Sequence, residues 1–234
     1  MTNRREFIGA AAILGAAMAA QPIASAQAGR KLSILFLGGT GFIGPHQINY
    51  ALSRGHSVTT FNRGSNRGLY GDRVEELIGN RDANVDDGLK ALQGDRTWDV
   101  VVDNSGYVPR HVRDSANLLK GRTGRYIYIS TTAVYDFDKT PSVTHQSPLH
   151  ASFPQTEQVT GETYGPLKAE CDLIVQDVLG STATLVRPCV IVGPGDRTDR
   201  FTYWVERFHR GGDIVCPADP EREAAWIDAR DLSH

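Results

Sequence analysis

Tyr164 and Lys168 lie four residues apart in a segment whose pattern predicts a helix over 163–179, so they share one face of it. A phenol with a pKa of about 10 is a poor base at neutral pH, and an adjacent ammonium favours its phenolate. Lowering the phenol by about 3 units takes roughly 4 kcal/mol, within reach of a desolvated charge pair. Ser130-Thr131-Thr132 follows the strand predicted over 125–130 at its C-terminal end. A hydroxyl there can hydrogen-bond a reacting oxygen while Tyr164 moves its proton. The stripe Leu167, Cys171, Ile174, Val175 and Val178 explains the same helix as a core helix without any chemistry, so the Tyr/Lys pair alone proves little.

A glycine-dense turn, Gly38-Gly39-Thr40-Gly41-Phe42-Ile43-Gly44, separates an apolar stretch (32–37) that predicts a buried strand from a predicted helix (43–54) stopped by Gly55. Glycines at 38, 41 and 44 allow a tight turn, close backbone approach to a pyrophosphate and close helix–strand packing. The helix aims its free N–H groups and positive end at the anion. The strand before the turn and the helix after it give the motif its weight. At the end of the second strand (58–61) stand Asn62 and Arg63 instead of an acidic residue. With no carboxylate to bond ribose hydroxyls and a guanidinium to meet a 2′-phosphate, NADP is favoured over NAD. Arg63 and Arg67 also read as solvated loop charges. Asp82, after the third strand, reads as an adenine contact or as a surface aspartate.

The remaining elements alternate in type. A strand is predicted over 74–78, weakened by two glutamates, and Val85, Leu89 and Leu92 have helical spacing. A strand over 99–103, a helix over 112–119, the strand over 125–130, a polar loop (about 137–161), the Tyr164 helix and a strand over 184–186 follow. Strands separated by helical lengths imply an α/β fold, a doubly wound parallel sheet of Rossmann type. The chain has 234 residues, 40% hydrophobic and 22% charged, enough for one sizeable core. That excludes a coiled coil, a collagen-like repeat and a largely disordered chain. A net charge of −2 gives no electrostatic reason for nucleic acid or an anionic membrane as main partner. Cys171, Cys189 and Cys216 make neither a disulfide framework nor a paired metal spacing, so no metal is expected.

The first 28 residues read differently. Arg4-Arg5, an Ala/Gly-rich apolar stretch to Ala20, and the small-x-small sites Ala24-Ser25-Ala26 and Ala26-Gln27-Ala28 have the order of an export signal. The apolar run is too short for a good membrane span. The arginine pair before Phe7-Ile8 resembles a twin-arginine (Tat) signal for folded proteins, with Asn3 and Gly9 departing from the usual pattern. The expectation is a Tat-exported, periplasmic protein with a signal peptide over 1–28.

Four motifs occur in one order: the glycine turn at 38–44, Ser130-Thr131-Thr132-Ala133-Val134-Tyr135, Tyr164-Gly165-Pro166-Leu167-Lys168, and Arg187-Pro188 through Gly193-Pro194. Together they resemble the extended short-chain dehydrogenase/reductase family, the NAD-dependent epimerase/dehydratase group. The resemblance implies Thr131, Tyr164 and Lys168 as the catalytic set, with Lys168 lowering the Tyr164 pKa and holding the nicotinamide ribose. It implies a cofactor against Gly38, Thr40, Gly41, Phe42, Ile43, Gly44, Asn62, Arg63, Asp82, Asn104, Ser105, Lys168 and Pro188. It also implies a hydride transfer at a secondary alcohol or ketone, a small-molecule substrate such as a nucleotide sugar, and pairing into a homodimer.

Two features depart from the family pattern. Asp103-Asn104-Ser105-Gly106-Tyr107 replaces the usual apolar loop after the fourth strand, and resembles the branch holding chloroplast stem-loop RNA-binding proteins. The chain ends in a segment similar to the one before the family's C-terminal substrate region, so residues 29–190 are expected as the dinucleotide domain and 191–234 as the start of an incomplete substrate region. The alternatives are a non-catalytic NAD(P)- or RNA-binding member, or an inactive truncated product. The complete Thr131/Tyr164/Lys168 set favours chemistry, and the lack of basic excess disfavours RNA. Elsewhere, His145 and His150 read as solvated loop residues, and Phe201, Trp204, Val205 and Phe208 read as a core stripe. Arg200, with Asp196 and Arg197, reads as an anion-binding group or a surface ion pair.

Overall fold

The computed structural model describes residues 30–137, 142–216 and 224–234. The signal expected over 1–28, and part of the polar loop before Tyr164, lie outside the described residues. Six short apolar segments make one sheet: β1 (Ser33–Leu37), β2 (Ser57–Asn62), β3 (Val74–Ile78), β4 (Trp98–Asp103), β5 (Thr123–Ile129) and β6 (Ala183–Val186). Their order is β3-β2-β1-β4-β5-β6, and each neighbouring pair is parallel. The order reverses between β1 and β4, where doubly wound sheets open a crevice beyond the strand ends.

The two-residue period of β1 divides the core. Ile34 and Phe36 pack with Ile48 and Ala51 of α1 (Gly44–Ser53) on one face. Leu35 and Leu37 belong to the opposite cluster, with Val112, Ala116 and Leu119 of α2 (Pro109–Leu119) and Cys171, Ile174 and Val175 of α3 (Tyr164–Leu179). Cys171 is therefore a buried core residue, and the fold is the expected Rossmann-like α/β one. The two glutamates of β3 do not disturb it, because Glu75 accepts hydrogen bonds from Thr59 on β2 at 2.9 Å and from Arg96 at 2.8 and 2.7 Å.

Three expectations need correction. The helical spacing of Val85, Leu89 and Leu92 yields only turns and one 3-10 turn (Lys90–Leu92), because Asp86 and Gly88 adopt φ of 53° and 50°. Residues 190–192 and 226–228 form strands that the sequence pattern did not suggest, β7 (Val190–Val192) and β8 (Trp226–Asp228), paired in parallel as a separate small sheet. The helix at Phe201–Phe208 forms as α4 (Thr202–Arg210), but it is not core: Phe201, Val205 and Phe208 are 44%, 52% and 58% exposed. Its apolar spacing creates a face that is largely exposed, with Phe201 meeting the Trp226 ring of β8 edge-on at 5.6 Å between centroids.

Candidate active site

The glycine turn leaves β1 at the switch point. Gly38 and Gly39 adopt φ of 100° and 98°, a region disfavoured for side-chain-bearing residues. A Cβ on Gly44 would lie 2.3 Å from the Gly39 carbonyl oxygen, so glycine is required where α1 folds back on the turn. Tyr70, whose hydroxyl donates to the same carbonyl at 2.6 Å, pins the loop from below. A Cβ on Gly41 would meet nothing within 4 Å, so the turn is open on that side.

Across the switch point, Asn104 and Ser105 close the other wall. The Asn104 N–H and the Ser105 hydroxyl both bond the Leu37 carbonyl, each at 3.1 Å. The Asn104 amide donates to Gln47 at 2.6 Å, and its buried Oδ1 has no partner. That orphaned acceptor, with the glycine cradle and the helix end, fits a dinucleotide laid over β1 and β4.

A cleft of about 460 Å³ joins Gly41, Phe42, Ile43, Gly44 and Asn104 to Thr131, Tyr164, Lys168 and Pro188. Distant segments bring them together. Thr131 caps a 3-10 turn (Thr132–Val134) by accepting from the Ala133 N–H at 3.2 Å. The Thr132 N–H bonds the Pro188 carbonyl at 2.9 Å, stitching the ends of β5 and β6 together. α3 begins at Tyr164, and a Cβ on Gly165 would meet the Ala133 carbonyl at 2.3 Å, so Tyr164-Gly165 is what lets the helix start against that turn.

Burial raises the Tyr164 phenol above its ordinary value, opposed by a hydrogen bond from Thr131 and by the charge of Arg200. The Lys168 ammonium, 2% exposed, donates to the Gly106 and Ile129 carbonyls at 2.7 and 2.8 Å and lies 4.1 Å from the Tyr128 ring centroid. Burial pulls Lys168 down to about 8.

The other expected contacts lie away from the cleft lining. Thr40 is half-buried within the glycine turn. Asn62 turns back on its own loop, accepting from the Gly64 N–H at 2.7 Å, while Arg63 is exposed. Asp82 is held by Arg110 at 2.8 and 2.9 Å, and that pairing keeps its carboxyl well below the usual range. Arg200 lines the cleft and pairs loosely with Asp196 at 3.6 Å. Tyr107, Phe137, Cys189 and Ile191 also line it, unmarked by sequence reasoning. Tyr107 stood in the departing loop, and its ring lies 6.3 Å from that of Tyr164. Among the described residues there is no metal-binding group of His, Cys, Asp and Glu, and no helix is long and apolar enough to cross a membrane.

A doubly wound sheet with a glycine turn at its switch point and a Thr/Tyr/Lys cluster opposite defines a dinucleotide-fold protein. The chain belongs to the NAD dependent epimerase/dehydratase family, whose sequence profile matches residues 34–234. No curated protein matches it by sequence. Among solved structures it is similar to Bordetella bronchiseptica WbmG in complex with NAD and UDP, at 16% identity and TM-score 0.66, covering 87% of this chain and 66% of that one. It is also similar to dTDP-glucose 4,6-dehydratase from Bacillus anthracis in complex with NAD, at 18% identity and TM-score 0.64, covering 86% and 69%. A UDP-galactose 4-epimerase aligns at 18% identity and TM-score 0.58, covering 86% and 69%. These likenesses establish the fold.

Proposed function

We propose that the chain is an NAD(P)-dependent epimerase/dehydratase-type oxidoreductase or isomerase acting at a secondary alcohol or ketone. The observation that carries this reading is the convergence of Thr131, Tyr164 and Lys168 with the glycine turn and Asn104 in one cleft. When bound, the nicotinamide dinucleotide supplies the hydride-exchanging carbon. Thr131 hydrogen-bonds the reacting oxygen, and Tyr164 gives or takes the hydroxyl proton. Lys168 contributes a buried positive charge and, with two N–H groups on carbonyls, one further donor for a ribose hydroxyl. Gly38, Gly41, Phe42, Ile43 and Gly44 cradle the pyrophosphate. Nucleotide sugars are the proposed substrate class, supported by family membership and by neighbours bound to NAD and UDP.

The cofactor is proposed as NADP, because exposed Arg63 follows β2 where a carboxylate would otherwise stand. The NAD-bound neighbours weigh the other way. Mass spectrometry of small molecules released from the natively purified, denatured protein decides: NADP or NAD supports the enzyme reading. An empty protein without thermal shift on adding either overturns it.

We also propose Tat export, from Arg4-Arg5 and the apolar stretch after them. A cofactor loaded before export favours chemistry that regenerates it within each turnover. Retention in the cytoplasm on changing Arg4 and Arg5 to lysine supports this. Unchanged export overturns it.

A further inference from the structure

Lys168 presents a problem that the candidate chemistry leaves unsolved. Its ammonium is buried, and both of its hydrogen bonds go to neutral carbonyls. Two buried carboxylates lie close enough to act on it. Asp103, at the end of β4, is already claimed by Arg81, whose Nη1 and Nη2 reach its two oxygens at 2.6 and 3.0 Å. Asp172 is fully buried on α3, one turn beyond Lys168 and on the same face. Arg187 Nε donates to its Oδ2 at 2.7 Å, while the buried Oδ1 has no hydrogen-bond partner, unlike either oxygen of Asp103.

The connections of Asp172 run through Arg187 to the segments that follow β5 and β6. Arg187 immediately precedes Pro188, and its Nη1 donates to the Tyr135 hydroxyl at 2.9 Å, beside the turn that Thr131 caps. The hydroxyl of Ser130, the residue before Thr131, is buried without a hydrogen-bond partner, as is Asp172 Oδ1. One acidic side chain thus ties the ends of β5 and β6 to the helix carrying Tyr164 and Lys168.

We propose that Asp172 is a positioning residue for the Tyr164/Lys168 pair: its buried carboxylate, held by Arg187 through one oxygen only, provides the counter-charge that keeps Lys168 an ammonium. The positioning role rests on the proposed function; the counter-charge does not. The groups around Lys168 are Cys171 and Asp172 on its own helix, Asp103 with Arg81 behind it, and the Tyr128 and Tyr107 rings. Cys171, Asp103 and Asp172 all oppose the effect of burial on Lys168, whereas Arg81 works against Asp103. Burial pushes Asp172 itself up, and Ser130 and Arg187 pull it back.

The test is a pH titration of the full chain, labelled with carbon-13 in lysine and aspartate, followed by NMR without any cofactor. Lys168 is assigned by its absence from Lys168→Met. In Asp172→Asn the Lys168 midpoint should fall by at least one pH unit, a tenfold change in its protonation ratio at a given pH, while Asp172→Glu should restore it. A merely structural carboxylate would lower the melting temperature and leave that midpoint within 0.3 units, which overturns the proposal. Should the asparagine variant fail to fold, the unaltered chain still decides. An ionised Asp172 at pH 7 supports the proposal, and a protonated one overturns it. Because no dinucleotide enters these titrations, failure to bind NAD(P) would sink the proposed function and leave this result standing.

Discussion

Two cations are buried beside each other in this molecule, and they are treated in opposite ways. Arg81 sits in a closed knot: a two-pronged pair with Asp103, further bonds to the Ser105 and Ser115 hydroxyls at 3.1 and 2.9 Å, and Tyr126 completing Asp103 at 2.8 Å. Burial disfavours its charge, yet Asp103 more than compensates and holds the guanidinium above its ordinary range. Lys168 has only carbonyls and ring faces for direct partners, and burial wins, leaving it near 8. The knot fixes the loop wall formed by Asn104 and Ser105. The lysine keeps an uncommitted donor and a proton it can release near neutral pH. The fold thus satisfies charge where it needs rigidity and leaves it under-compensated where the chemistry is proposed.

Breaking the knot should have the largest effect. Arg81→Met strands the Asp103 carboxylate at zero exposure, and loss of one partner of a buried pair costs about 3–5 kcal/mol. Urea unfolding at pH 7 measures it. The folded pKa of Asp103 is depressed, so its stabilising contribution is complete above the ordinary carboxylate range and is lost as pH falls through the folded value. The variant's deficit should therefore narrow on acidification. A loss below about 1 kcal/mol at pH 7 would mean that the knot is no more rigid than the lysine site.

Lys168→Met should act in the opposite direction. A lysine whose folded pKa lies near 8 against 10.5 for the free side chain destabilises the fold below pH 8 by about 3 kcal/mol. That penalty already contains the charged form's interactions; the two hydrogen bonds, counted as those of the uncharged amine at about 1 kcal/mol each, offset part of it, so the methionine variant should be more stable by about 1 kcal/mol at pH 7. As pH rises from 8 to 10.5 the folded lysine loses its proton first, its penalty disappears, and the variant's advantage should fade. A variant less stable than the parent at pH 7 would show that the ammonium is not strained.

The difference between the two sites was only partly legible in the sequence. The sheet was legible because each strand is a short apolar run with a glycine or polar stop, and the glycine turn has its full context. Helix spacing paired Tyr164 with Lys168 and a strand end offered Ser130-Thr131-Thr132, while the choice of Thr131 and the roles came from the family resemblance. The Arg81–Asp103 pair was not, since it joins the loop after β3 to the end of β4 with no periodic signal between them. Arg110 capturing Asp82 is invisible for the same reason. The exposed face of α4 shows the converse limit, because spacing reveals that a face is apolar but not whether anything lies against it.

The smallest test compares two tyrosines that differ in what their hydroxyls meet. Tyr126 and Tyr128 are both fully buried on one face of β5, in one core cluster. The Tyr126 hydroxyl donates to the ionised Asp103 at 2.8 Å, and the Tyr128 hydroxyl donates to the neutral Gly106 carbonyl at 2.7 Å, an acceptor it shares with Lys168. Removing a bond to a charged group costs about 1.5–3 kcal/mol, and one between neutral groups about 0.5–1.5. Tyr126→Phe should therefore cost more in urea unfolding than Tyr128→Phe. In the second variant the Gly106 carbonyl keeps its lysine donor, and the ring face over Lys168 is intact. The Lys168 midpoint should consequently stay near 8 in Tyr128→Phe. The reverse order of costs would mean that the carbonyl cage, and not the carboxylate knot, is the tightly held region, and the contrast between the two buried cations would have to be inverted.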